Sequence, residues 1–153
     1  MEISYHQEII APIEIVFNFL TDDEKMKLWM EGLQLIEYPE KKNVDDPIGT
    51  RFIYHIKEGG HTQQYSGSVT EYTPPTLWGI ELSTPAYQFN ISYELTKQAR
   101  KTQLDYHCEM VFGSLFHRIM GFLFRGLTKR ILKSQMTKLK QLSEQESVRR
   151  SPQ

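Results

Sequence analysis

Four tyrosines, Tyr54, Tyr65, Tyr93 and Tyr106, fall on strand-like stretches in phase with large apolar residues. A phenol both donates and accepts a hydrogen bond while staying neutral near pH 7. Several phenols turned into one apolar space can fix the polar end of a ligand or orient a ketone or enol. Proton transfer needs a carboxylate or imidazole within reach of the reacting atom. Strand alternation places Glu37, in phase with Leu33 and Leu35, and Glu71, in phase with Val69, toward a rim. It sends Glu94, Asp105, His107 and Glu109 to the opposite, polar face. Cys108 falls in the apolar phase with no activating base beside it. The five histidines, His6, His55, His61, His107 and His117, show no metal-ligand spacing. No catalytic residue, metal ligand or cofactor is assigned.

These side chains need a sheet to present them. Residues 2–10 alternate as a strand, and Ile13, Val16, Phe17 and Leu20 follow at helical spacing, with Pro12 suited to the first turn. Thr21 and Glu24 form a capping-box pattern, which predicts a second short helix carrying Leu28 and Trp29. Strands are predicted at 33–39, 50–58, 61–72, 77–83, 87–96 and 102–112, with Gly59-Gly60 as a two-residue hairpin turn. A long helix from Ser114 to Gln145 closes a domain spanning 1–146, and 147–153 is a polar tail. A run of antiparallel strands with helices at its ends is an α+β pattern.

Closing the hairpin on Gly59-Gly60 pairs Tyr54 with Tyr65 and Phe52 with Gly67, so both tyrosines share a face. The expected sheet wall is Phe52, Tyr54, Tyr65, Trp78, Phe89, Tyr93 and Tyr106. The stretch GSLFHRIMGFLFRGLTKRIL, residues 113–132, carries apolar residues around about half of a helix, wider than the stripe of about 100° on a surface helix. Most of these residues are expected to face the sheet, with Phe116, Met120, Leu123, Phe124 and Leu127 as a helix wall and Trp29 closing the mouth.

The net charge of −1 argues against nucleic acid held by an overall field. That average conceals a division. Residues 1–113 hold nine Lys/Arg against seventeen Asp/Glu, whereas 114–140 hold seven Lys/Arg and no acid. The basic stretch is read either as a solvated face that complements the helix dipole and the acidic sheet, or as a surface for peripheral contact with an anionic membrane. One cysteine, no signal-peptide pattern and no apolar run of about 18 residues lead to the expectation of a cytoplasmic protein.

The stretches IIAPIEIVFNFLTD (9–22), IGTRF (48–52) and YSGSVTEYTPPTLWGIEL (65–82), with the closing helix, resemble the START/Bet v 1-like (SRPBCC) superfamily. Within it, they resemble the small bacterial proteins of the polyketide cyclase/dehydrase type. The resemblance spans about residues 2–145 and implies a helix-grip fold: a curved antiparallel sheet of about seven strands around a long C-terminal helix, with a cavity between. It implies a hydrophobic or amphipathic small-molecule partner, such as a lipid, a sterol-like molecule or a polyketide. Two other classes stay open: a cyclase or dehydratase, and a protein-interaction module of the chaperone-activating kind. The motifs specify fold and carry no catalytic signature.

Overall fold

The computed structural model describes residues 1–151. Strand β1 (Glu2–Ile9) leads into helices α1 (Ile13–Thr21) and α2 (Asp23–Trp29). Six strands follow: β2 (Leu33–Glu37), β3 (Arg51–Glu58), β4 (His61–Thr73), β5 (Leu77–Ser83), β6 (Tyr87–Gln98) and β7 (Lys101–Phe112). Helices α3 (Leu115–Leu123) and α4 (Arg125–Arg150) complete the chain. The sheet is antiparallel throughout, in the order β1-β7-β6-β5-β4-β3-β2. It is thus a meander from β2 to β7, with β1 returning to lie beside the last strand. This is the α+β helix-grip architecture.

Alternation decides which side of each strand is buried. In β7, Leu104, Tyr106, Cys108 and Met110 are buried, and in β5 Trp78, Ile80 and Leu82 are buried. The hairpin pairs Tyr54 with Tyr65 and Phe52 with Gly67, as the turn chemistry requires. Gly67 is needed there: a Cβ would collide with the Phe52 ring lying across it and with the Glu81 carbonyl. Helix α1 buries Ile13, Val16, Phe17 and Leu20, and also Ile15 and Phe19, so nearly its whole surface is enclosed. Thr102, fully buried, donates from Oγ1 to the Ala11 carbonyl at 2.8 Å and ties β7 to the turn before α1.

Local details differ from the sequence reading. The N-cap of α2 is Asp22, whose carboxylate accepts from the Lys25 amide at 3.0 Å, while the Thr21 hydroxyl donates back to the Phe17 carbonyl and closes α1. Pro12 stands just before α1 as its N-cap. The predicted single long helix is two, meeting at Phe124, which ends α3 and begins α4 with backbone angles of −96° and 11°. Gly121 and Gly126 flank that junction and weaken helix on both sides. At the other end α4 runs past Gln145 to Arg150, its last turn held by ion pairs from Arg149 and Arg150 to Glu146. Of the expected tail 147–153, residues 147–150 are therefore helical, and 152–153 lie outside the described residues.

The expected burial of the closing helix holds only for its second part. Leu132, Met136 and Leu139 are buried against α1, α2 and β1, and Gln7 donates to the Met136 carbonyl at 3.0 Å. From Leu115 to Ile131 no residue is buried. Phe116, Leu123, Phe124 and Leu127, expected as a wall over the sheet, are each at least half exposed, and Met120 is half-buried. The cause lies in which side of α3 can approach the sheet. Gly121 comes so close to the Phe112 ring that a Cβ would collide with it, and the His117 ring stacks edge-on to Tyr87 at 5.5 Å. The narrow Gly121/His117 side thus packs inward, and the large apolar side chains turn out.

Candidate functional site

The sheet-wall aromatics fall into two groups. The first is closed. Trp29 packs edge-on to Tyr93 at 6.3 Å, Tyr93 meets its cross-strand partner Tyr106 at 5.2 Å, and Phe52 stacks on Tyr54 at 4.5 Å. Trp78 lies edge-on to Tyr72 at 6.1 Å. All but Tyr72 are buried. Trp29 is fixed by its indole N–H, which donates to the Phe19 carbonyl at 2.7 Å. A space beside Phe52, Tyr54 and Trp78 measures about 10 Å³, the minimum for a single water. These residues come together as expected, but they fill the space between sheet and helices.

Phenols can be enclosed this way because some find partners inside the protein. The Tyr54 hydroxyl donates to the Met26 sulfur at 3.6 Å, and Tyr106 lies against the Cys108 thiol. Burial pushes Tyr54, Tyr93 and Tyr106 above the ordinary phenol range, with neighbouring phenols and the Cys108 thiol adding to the shift. Burial likewise pushes Cys108 up to about 11. Near neutral pH these groups are neutral hydrogen-bonding groups and no proton carrier is set among them. Tyr38, at the edge of this group, donates to both Asp23 carboxylate oxygens at 2.7 Å.

The second group is open. Tyr65 and Phe89 lie 6.3 Å apart, and Tyr87 packs on Phe89 at 6.1 Å and on Phe112 at 5.6 Å, all only half-buried. Tyr65 donates to the Glu58 carboxylate at the hairpin end. Tyr87 belongs to this wall and was legible: it precedes Phe89, Ile91 and Tyr93 in the same phase.

Neither rim glutamate looks inward. A β-bulge between Val69 and Glu71 shifts the phase of β4, which turns Tyr72 to the core and Glu71 to solvent. A second irregularity between Leu33 and Leu35 does the same in β2, leaving Glu37 half exposed with an oxygen 2.6 Å from His55 Nε2. A simple period of two cannot foresee either shift.

A larger space lies elsewhere, as a groove of about 640 Å³ between the α2–β2 turn and the middle of α4. Leu28, Trp29 and Met30 supply its apolar side, and Glu31 beside them places one carboxylate in the lining. Arg130, Lys133 and Lys138 line it from α4 together with Ser134, Thr137 and Gln141. These positions recur at helical spacing, so they form one face of α4. Lys27 also lines the groove and pairs with Glu24 at 3.1 Å, whereas Arg130, Lys133 and Lys138 form no ion pair among the described residues. Trp29 is the one expected site residue in this lining. The α4 cations were read as a solvated basic face or as a membrane-contact surface, and not as part of a groove; their helical spacing was visible, but the opposing α2–β2 turn was not.

A curved seven-stranded sheet, two short helices after its first strand and a long C-terminal helix define a START-like domain. The family described as "Polyketide cyclase / dehydrase and lipid transport" matches residues 1–144, and the chain belongs to it. Among solved structures, the Zhui aromatase/cyclase from Streptomyces sp. R1128 superposes with a TM-score of 0.76 at 13% identity, covering 94% of this chain and 93% of that one. A conserved protein from Geobacillus kaustophilus gives 0.74 at 16% identity, over 95% and 96% of the two chains. A START superfamily protein from Mycobacterium smegmatis gives 0.73 at 13%, over 94% and 97%. At these identities the likeness is one of fold. None of the curated proteins compared matches this sequence.

Proposed function

We propose that this protein binds an amphipathic small molecule carrying an acidic group, with its apolar body against Leu28, Trp29 and Met30 and its acid on the cations of α4. The observation that carries this reading is the composition of the groove: an apolar side opposite Arg130, Lys133 and Lys138, which form no ion pair among the described residues and which, with Lys27, outnumber the single acid in the lining, Glu31. Its volume of about 640 Å³ lies within the range of about 300–1,000 Å³ typical of small-molecule sites. The family's description as polyketide cyclase/dehydrase and lipid transport supports ligands of this kind. Apolar burial supplies affinity at about 25 cal/mol per Å², less the cost of association, and charge selects the head group.

Trp29 links the groove to the aromatic wall, because it is among the residues lining the groove and its ring packs on Tyr93. Phe52, Tyr54, Trp78, Tyr93 and Tyr106 form the wall behind it, while Tyr65 and Phe89 extend that wall to the open half. A longer ligand reaches this wall when the first turns of α4 and the Phe116–Leu127 segment shift. Native mass spectrometry of the purified protein against the same sample denatured tests the proposal. A non-covalent added mass is expected, and Lys133→Glu with Lys138→Glu should reduce its occupancy about tenfold. A bare mass that stays bare after incubation with dodecanoate would refute the reading.

A further inference from the structure

The elbow from Leu115 to Ile131 has a composition that water does not favour. Leu115, Phe116, Ile119, Phe122 and Leu123 share one arc of α3 and are between 51% and 71% exposed. The same arc points away from the protein, because the opposite side of α3, at Gly121 and His117, is already against Phe112 and Tyr87. Phe124, Leu127 and Ile131 extend the exposed apolar surface onto α4. A contiguous apolar surface of this kind marks an interaction site.

The charges point to what covers it. Arg118, Arg125, Lys129 and Arg130 stand among these residues, with no acid between 114 and 140. None of the four forms an ion pair among the described residues. Because α4 begins at Arg125, Arg125 and Lys129 lie in its first turns, at the positive end of the helix dipole, and Arg118 is in the first turn of α3. These placements cost stability where the sequence alone suggested that the basic residues complement the dipole. A second copy docking by the same face would bring cations against cations. An anionic bilayer supplies both an apolar interior and opposite charge at one surface.

We propose that the α3–α4 elbow is an interfacial anchor that seats this protein on anionic lipid bilayers, with Phe116, Phe122 and Leu123 entering the acyl region and Arg118, Arg125 and Lys129 meeting the head groups. The anchor goes beyond the groove's ligand binding and can fail without it, since groove occupancy is read in the absence of vesicles. The test is co-sedimentation of the full chain with vesicles of phosphatidylcholine alone or with phosphatidylglycerol added. Partitioning should be at least about tenfold stronger on the anionic vesicles and should weaken with added salt. Phe116→Ser with Phe122→Ser, and separately Arg118→Gln with Arg125→Gln and Lys129→Gln, should each lower it about tenfold or more while the thermal midpoint stays unchanged. Equal sedimentation on both vesicle types, or variants that bind like the parent, would overturn the anchor. So would a dimer that is lost in Phe116→Ser/Phe122→Ser while the parent ignores vesicles.

Discussion

Cys108 and the phenols around it show how burial sets chemistry one side chain at a time. Cys108 faces inward beside Tyr106, opposite Ile3 in β1 and Ile91 in β6. Burial raises its folded pKa from an ordinary 9.0 to about 11. Below about pH 9 the thiol is neutral in folded and unfolded chains alike, and its burial costs no ionisation energy. As pH rises the unfolded thiol ionises first, so the folded state loses stability progressively up to about pH 11. The loss is on the order of 2 kcal/mol from Cys108, and Tyr54, Tyr93 and Tyr106 extend it to higher pH. Urea midpoints measured at pH 8 and at pH 10.5 should fall accordingly, and Cys108→Ala should flatten the early part of the decline. A midpoint unchanged across that interval in the parent protein would contradict the burial of these groups.

Among the elements, strands were more legible than helices, for a physical reason. A strand's period of two depends on the chain alone, so the faces carrying Phe52 and Tyr54, Trp78 and Ile80, and Tyr106 and Cys108 follow from alternation. It fails where a bulge adds a residue, as at Val69/Glu71, and there the inward side chain is Tyr72 instead of Glu71. A helix's apolar arc shows that something apolar should cover it, but not what. The arc of α3 was assigned to the sheet, whereas the side that meets the sheet is the narrow one at Gly121. That contact makes an opposed prediction. In an open helix Gly121→Ala would stabilise by about 1 kcal/mol, but here the added methyl meets the Phe112 ring. Hydrogen exchange over Leu115–Leu123 should therefore become faster in Gly121→Ala. Slower exchange would mean that α3 does not rest on Phe112.

At the scale of the whole molecule, charge and shape divide the protein into two regions. The sheet and first helices hold the acidic excess and a closed aromatic interior, while the basic residues lie on α3 and the first half of α4. Between these regions lies the groove, bounded by a turn and a helix face about one hundred residues apart in sequence. This long-range pairing explains why the sequence led to the fold but not to Arg130, Lys133 and Lys138 as neighbours of Trp29 around one space. The aromatic positions it did identify lie on the inner face of the sheet, where Phe52, Tyr54 and Trp78 have little room beside them and Tyr65 and Phe89 are half-buried.

The most direct test of the binding site is a map of where a ligand lands. Backbone and indole N–H shifts can be followed while the full chain is titrated with dodecanoate, which carries an apolar chain and one carboxylate. The account predicts saturable shifts at the Trp29 indole N–H and at the amides of Met30, Lys133, Ser134 and Lys138, with Lys133→Glu/Lys138→Glu weakening them about tenfold. Shifts confined to Leu115–Leu123, or no saturable shifts at all, would contradict a ligand site in the groove.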